Sequence, residues 1–250
     1  MPTLLAFIPH PDDEAYSFAG TIALAASAGW DCYLECASFG ERGKRHDGGP
    51  TAPGKVADAR EAELRASCRL LGAHPPRFWG LPDGELQHGR GEQRRVTRLI
   101  VGRRPDLVLS LGPDGVYGHP DHIALYRWVT EAWASLPLPR PPLLYAAFPA
   151  GLFVPQYEKC IGMMGDPPRP PRSAIGAAPW HYQVPIGFVR ETKLASIQAH
   201  RSQLPGDDPE ALFPPGIIAA LLETERFSDA SGVAGNTVAA LLGRLGKEHS

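Results

Sequence analysis

Cysteine is scarce in this chain: four residues in 250, Cys32, Cys36, Cys68 and Cys160, with no CxxC pair among them. That argues against a disulfide scaffold and against a structural zinc site closed by paired thiolates, so the four are read as buried thiols, in effect small hydrophobes. Long apolar runs are missing too. No stretch approaches the roughly 20 residues that span a bilayer, and the start, Met1-Pro2-Thr3-Leu4-Leu5-Ala6-Phe7-Ile8-Pro9, has no basic leader and no cleavage-type site. The expectation is a cytoplasmic protein without a membrane anchor. Charge of one sign is not in excess: 25 Lys and Arg face 27 Asp and Glu, spread rather than clustered, for a formal net charge of -2. This leaves no electrostatic footprint for nucleic acid, and chemistry on a small molecule becomes the expectation. No internal repeat is visible, and 43% apolar content suits one domain over residues 1–250. A homo-oligomer stays open.

What is present is an alternation. Leu4 to Ile8 reads as a buried strand, followed by His10-Pro11-Asp12-Asp13-Glu14 and an Ala-rich helix from Ser17 to Ala28. Cys32 to Phe39 reads as a second strand, ending in Gly40-Glu41-Arg42-Gly43 and a polar loop through Gly54. Ala62, Leu64, Cys68 and Leu71 at helical spacing predict a helix from Asp58 to Leu71 with Gly72 beyond it as a cap. Arg77 to Leu81 is a short strand candidate, Glu92 to Val101 a helix, and Leu107 to Leu111 an apolar strand. That strand leads to Tyr117-Gly118-His119-Pro120-Asp121-His122, with a helix expected from Ile123 to Trp133, then a strand from Leu143 to Phe148. Residues 149–185 are Pro-rich, with Pro167, Pro168, Pro170 and Pro171 close together; helical stretches return at Glu191 to His200 and Thr237 to Leu245. Short apolar strands alternating with helices predict an α/β fold, a Rossmann-like three-layer sandwich with a mostly parallel sheet. Its site belongs at the C-terminal ends of the strands, where both polar motifs fall and where they can meet.

His10 and Asp13 stand two residues apart across a strand-to-helix turn, and His119 and His122 repeat the spacing. Two imidazoles, one carboxylate and an open fourth position make the ligand set of catalytic zinc, and no cysteine stands in either motif. Ferrous iron accepts the same donors.

Together, Pro9-His10-Pro11-Asp12-Asp13-Glu14 and Tyr117-Gly118-His119-Pro120-Asp121-His122 resemble the PIG-L/LmbE-like deacetylase family. That family contains N-acetylglucosaminyl-phosphatidylinositol deacetylases and bacterial deacetylases and amidases of the mycothiol and bacillithiol pathways. The likeness extends to Gly40-Glu41-Arg42-Gly43, Arg60-Glu61 with Leu71-Gly72, Leu81-Pro82-Asp83-Gly84, Lys193, His200 and Ser202-Gln203, and so covers Leu4 to Gln203. Segment 149–185 aligns with nothing in it and is read as a variable segment that shapes substrate choice. The resemblance implies a zinc-dependent hydrolase that removes the N-acetyl group from an N-acetylglucosamine conjugate, N-acetylglucosaminyl malate among the candidates. An amidase of a thiol conjugate, a deacetylase of another N-acyl amino sugar or antibiotic glycoside, and a non-catalytic sugar- or metal-binding protein are the alternatives.

Carried over residue by residue, the resemblance implies His10, Asp13 and His122 as metal ligands, Asp12 as general base and His119 facing the developing oxyanion. Side chains of adjacent residues at a helix start diverge by about 100°, which agrees with one aspartate on the metal and one beside it. Zinc brings the pKa of a coordinated water from roughly 15.7 to about 7. Asp121 is expected to orient His119 and favour its charged form, so that it donates to the oxyanion. Tyr117 is a catalytic candidate whose alternative is a surface loop aromatic; Arg42 is a substrate-binding candidate whose alternative is a solvated arginine. Glu14 is left between a partner for a ligand imidazole and a helix first-turn acid. His46, His74, His88, His181 and His249 lack ligand spacing, and His200 reads as a satisfied helix histidine.

Overall fold

A computed structural model describes residues 1–165 and 168–247; the readings that touch Pro167 and His249 lie outside the described residues. Seven strands form one sheet: β1 (Thr3–Ile8), β2 (Asp31–Cys36), β3 (Arg77–Phe78), β4 (Leu107–Leu111), β5 (Leu143–Ala147), β6 (Tyr182–Pro185) and β7 (Thr224–Asp229). Their order is β3-β2-β1-β4-β5-β7-β6, parallel throughout except that β7 runs against both of its neighbours. The helices are α1 (Asp13–Ser17), α2 (Ala19–Ser27), α3 (Pro53–Leu70), α4 (Glu92–Arg103), α5 (Gly115–Gly118), α6 (Pro120–Ala134), α7 (Val154–Cys160), α8 (Arg190–Ala199), α9 (Ile217–Leu221) and α10 (Asn236–Lys247).

Strand alternation explains the layers. In β1, Leu4, Ala6 and Ile8 enter a core with α2, α3 and α8, while Leu5 and Phe7 enter a second core with Val96 and Ile100 of α4 and Leu125, Trp128 and Val129 of α6. Both faces are thus covered, as the unbroken apolar strands require. After β1 the chain winds through β2 to β3, then crosses back to place β4 on the other side of β1. The crevice outside the carboxyl ends of β1 and β4 is the switch point where such sheets bind ligands.

The boundaries differ from the sequence reading in instructive places. Helix α3 begins at Pro53 and α6 at Pro120, several residues before the apolar periodicity starts. Proline fits the first helical position because its missing N–H would have no partner there anyway. His122 therefore lies in the first turn of α6, not before it. The predicted C-cap of α3 is present: Gly72, at φ 71, donates to the Arg69 carbonyl and Ala73 to that of Cys68. The helix expected from Ser17 to Ala28 is broken at Phe18, at φ -151, into α1 and α2. Within residues 149–185, α7 and β6 form where few elements were foreseen, and β7 was missed because Glu225, Arg226 and Asp229 obscure its alternation. Three cysteines are buried as expected, but Cys160 is only half-buried.

Candidate metal centre and active site

The loop after β1 and the start of α6 after β4 converge at the switch point. Asp13 lies between two imidazoles: its Oδ2 is 3.3 Å from His10 Nδ1 and its Oδ1 is 3.4 Å from His122 Nε2. Ligand bonds of about 2.0–2.2 Å in a tetrahedral zinc site set donor atoms roughly 3.3–3.6 Å apart, so these spacings are compatible with a shared cation. His122 is fully buried, yet its Nε2 has no hydrogen-bond partner. A buried polar atom left unpaired costs free energy, and a cation between His122, Asp13 and His10 would satisfy it. His10, Asp13 and His122 therefore fit a divalent ion. A second set, His10 with His119 and Asp121, is close enough to hold one as well. Its donors are already engaged: Asp121 accepts from Gly84 N at 2.7 Å and Leu86 N at 3.0 Å and meets His10 Nε2 at 3.1 Å.

This is a correction to the role expected of Asp121. Its carboxylate, fully buried, serves His10 and the 84–86 turn rather than His119. What meets His119 is the Asp121 backbone amide, which donates to Nδ1 at 3.2 Å as the imidazole caps α6. Asp121 does pull His119 toward its charged form as expected, but burial and then repulsion from the imidazoles of His122 and His10 outweigh it and push the pKa down to about 3. With Nδ1 accepting, the neutral ring carries its proton on Nε2, and that N–H is the donor available to a substrate oxygen.

Asp12 turns away from the imidazoles that hold Asp13, and does so from the left-handed cap position before α1 rather than from within a helical turn. Its Oδ2 lies 3.1 Å from Arg60 Nη2. Burial lifts its pKa to about 6 against the opposing pull of Arg60, with repulsion from Asp13 adding to the rise. Its backbone sits at φ 103, a conformation that costs a non-glycine residue of order 1–3 kcal/mol. The strained turn is held by Asp12 N donating to Glu14 Oε2 at 3.1 Å and by Arg60 donating to the Pro11 carbonyl. Burial opposes ionisation of Asp13, but the imidazoles of His122 and His10 outweigh it and hold its carboxyl well below the usual range. Burial likewise disfavours charge on His10, yet hydrogen bonds to the carboxylates of Asp121, Asp13 and Asp83 raise its pKa well above the ordinary value.

Glu14 takes one of its two expected roles, the acid in the first turn of α1, and does not partner a candidate ligand imidazole. It is fully buried and accepts from Ser67 Oγ at 2.6 Å and pairs with His200 Nε2 at 2.7 Å, so it braces the Asp12 turn against α3 and α8. His200, expected as a satisfied helix histidine, is paired only at Nε2; its buried Nδ1 has no partner. Tyr117 is half-buried, its ring 5.2 Å from that of His122 and 5.8 Å from that of His119. Burial and nearby carboxylates raise its phenol well above its usual pKa, so it keeps its proton. Arg42 lines the same cavity but is paired with Glu85, both exposed.

These groups open onto a cavity of about 510 Å³, walled also by Gln87, Met163 and Gln203. Two charged residues were missed as site residues. Asp83 places Oδ1 3.1 Å from His10 Nε2 and accepts from Arg42 N at 2.8 Å. Arg60 is buried in the stripe Val56, Arg60, Leu64, Cys68 on the inner face of α3; a guanidinium at that spacing among apolar residues was the available signal.

No helix among the described residues is long and apolar enough to cross a membrane. The family model described as PIG-L, GlcNAc-PI de-N-acetylase, matches residues 5–133. The chain is 34% identical over 203 residues, 80% of each chain, to a probable N-acetyl-alpha-D-glucosaminyl L-malate deacetylase 2 of Bacillus anthracis. In structure it resembles the N,N'-diacetylchitobiose deacetylase of Pyrococcus horikoshii, with TM-score 0.68, 22% identity, and coverage of 91% of this chain and 83% of that one. It also resembles the 4-carboxy-2-hydroxymuconate hydratase of Pseudomonas putida, with TM-score 0.67, 22% identity, and coverage of 92% and 96%. At that identity the two structures speak for the fold alone, and their differing reactions show that the fold does not choose the chemistry. The match over residues 5–133 and the relative identical at 34% across 80% of the chain establish that this protein belongs to the PIG-L family.

Proposed function

We propose that the chain is a zinc-dependent deacetylase of an N-acetylglucosamine conjugate, with His10, Asp13 and His122 holding the metal and Asp12 as the base. The observation that carries this is the orphaned Nε2 of the buried His122, set across Asp13 from His10, with a carboxylate of pKa about 6 on the neighbouring residue. Family membership supports an amide hydrolase, and the Bacillus anthracis relative supports an N-acetylglucosaminyl malate substrate.

A divalent cation in this site supplies Lewis acidity and an acidified water. The rest falls to the chain. Asp12 takes the proton of the attacking water as oxygen bonds to the acetyl carbon; Arg60 keeps the carboxylate charged enough to accept it. The Nε2–H of His119 and the hydroxyl of Tyr117 are the donors for the carbonyl oxygen as negative charge develops there. When the C–N bond breaks, Asp12 returns its proton to the departing nitrogen, a reversal that a pKa near operating pH favours. Products are acetate and a free amine. Arg42, at the rim, is placed to meet a carboxylate or hydroxyl of the aglycone by exchanging its Glu85 partner.

The test is to incubate zinc-loaded protein with N-acetylglucosaminyl malate, N-acetylglucosaminyl inositol and free N-acetylglucosamine and to measure primary amine. Metal-dependent release from the malate conjugate is expected; no release from any of the three rejects the proposal.

A further inference from the structure

A second cavity, of about 230 Å³, adjoins the first and shares three residues with it: Asp12, Asp13 and Tyr117. Its walls are different in kind. The first is lined by charged and amide side chains, whereas here Tyr16, Phe153 and Phe213 form an aromatic wall, with ring centroids 5.3 Å apart for Tyr16 and Phe213 and 6.0 Å for Phe153 and Phe213. Val116, Cys160 and Leu212 extend it, and Ser17, Gln156 and Lys159 also line the cavity, Gln156 with an unpaired buried Oε1. The wall is tied together: Gln156 Nε2 and Lys159 Nζ of α7 each donate to the Leu212 carbonyl at 3.3 Å. Phe153, Cys160, Leu212 and Phe213 all lie outside residues 5–133 that the family model matches, and α7 falls in the Pro-rich segment.

We infer that this apolar cavity is an acyl-chain subsite, and that the enzyme hydrolyses N-acyl amino sugars whose acyl group is longer than acetyl. The inference rests on the amide-hydrolase reading above. An amide whose carbonyl carbon is attacked beside Asp12 sits at the junction of the two cavities, so its two substituents must leave in different directions. A sugar carries hydroxyls that need partners, and the first cavity, with Arg42, Asp83, Gln87, His119 and Gln203, offers more of them than the second, where Gln156 Nε2 and Lys159 Nζ already donate to the Leu212 carbonyl. The acyl chain has none, and burying its methylenes against Tyr16, Phe153 and Phe213 is favourable. One methyl group leaves most of that volume unfilled.

The experiment uses zinc-loaded full-length protein and methyl glycosides of N-acetyl-, N-butyryl- and N-hexanoylglucosamine, with hexyl N-acetylglucosaminide as the control for an apolar aglycone. We expect kcat/KM to rise roughly tenfold per two carbons on the acyl side, as methylene burial predicts, and not on the aglycone side. The variants Cys160→Trp and Leu212→Trp, which fill the cavity from α7 and from its facing wall, should lower kcat/KM for the hexanoyl substrate at least tenfold more than for the acetyl one. A fall from acetyl to butyryl with acetyl turnover intact overturns the subsite and leaves the deacetylase reading standing, as does a gain for the hexyl aglycone alone. Calorimetric affinities on the Asp12→Asn variant decide the matter independently of turnover: tighter binding with each acyl lengthening supports the subsite, and equal affinity across the series overturns it.

Discussion

The Arg60 guanidinium reaches from the middle of α3 to within 3.1 Å of the Asp12 carboxylate, and it does so from the buried face of the helix. The same group donates to the carbonyls of Gly40 and Pro11, so one side chain ties together the loops after β2 and β1 and sets the charge of the proposed base. Burial alone would drive Asp12 toward its neutral form, in which it can accept no proton. Arg60 limits that rise, and the value near 6 is the balance of the two.

The pH profile follows. As the proposed base, Asp12 has to be ionised to act, so kcat/KM is expected to fall as pH drops through its pKa. Removing the guanidinium removes the force that lowers that pKa; Arg60→Gln, which keeps amide donors for the two carbonyls, should shift the acid limb upward by about one pH unit or more. Arg60→Lys should hold the limb near its original position. An acid limb unmoved in Arg60→Gln would show that Asp12 is not the group being read.

Adjacent aspartates should fail differently. Asp12→Asn leaves His10, Asp13 and His122 intact, so metal content stays near one per chain while kcat falls by roughly 10²–10⁴. Asp13→Asn takes away the carboxylate between the imidazoles, so metal content itself drops. Elemental analysis after gel filtration, run beside the amine assay, separates the two; equal metal loss in both would refute the division of labour.

The parallel sheet and the convergence of the β1 and β4 loops, which bring the candidate ligands His10, Asp13 and His122 together, were legible because local signals carry them: apolar runs, proline and glycine stops, and histidines placed directly after strands. The partners of those ligands were not. Asp83 and Asp121 both reach His10 Nε2, but one comes from the loop after β3 and the other from the first turn of α6, and nothing in either stretch announces which imidazole it will meet. Asp121 was assigned to His119 on proximity in sequence, whereas the capping turn of α6 sends its carboxylate inward and its amide to His119. Arg60 was legible in principle, as a charge at an apolar helix position. Strands β6 and β7 were not, because β7 carries buried Glu225 and Asp229, whose bonding partners come from elsewhere in the chain.

Metal affinity should depend on those outer carboxylates. With its pKa raised, metal-free His10 holds a proton that a cation must displace, so binding strengthens as pH rises. Asp83→Asn weakens the partner that orients His10 through Nε2, and an outer-shell loss of this type costs about 10–100-fold in affinity. Competition with a chromophoric zinc chelator measures it; affinity within twofold of wild type would assign Asp83 to the Arg42 loop alone.

Stability carries its own pH signature at His200. Burial disfavours its charge, but Glu14 at 2.7 Å outweighs that and raises its pKa above 6.5. A raised folded-state value stabilises the fold fully below the unfolded value and loses that contribution as pH climbs through the folded one. The gap in melting temperature between wild type and His200→Gln should therefore be widest below the ordinary imidazole pKa and narrow as pH climbs through the raised one, on a scale of ~2–4 °C per kcal/mol for a chain of this size. A gap that widens with pH would contradict the assignment.

The fully buried Lys193 Nζ lies 2.7 Å from Glu225 Oε1 and donates to the Tyr16 carbonyl at 3.1 Å, while Glu225 also accepts from Gly20 N and Thr21 N at 2.8 Å. The pair thus fastens α8 and β7 to the start of α2, directly behind the Asp12 turn. A buried charge whose partner is removed is left uncompensated, which costs ~3–5 kcal/mol, whereas neutralising both members is far milder. Lys193→Met should therefore lower the melting temperature by roughly 10 °C. Adding Glu225→Gln, which still accepts from the α2 amides, should restore more than half of that loss. The comparison must be made at matched metal content, because a bound cation raises the melting temperature by mass action. If the double variant is less stable than Lys193→Met, the carboxylate is anchoring α2 by itself, and the ion pair is not what holds this corner of the fold.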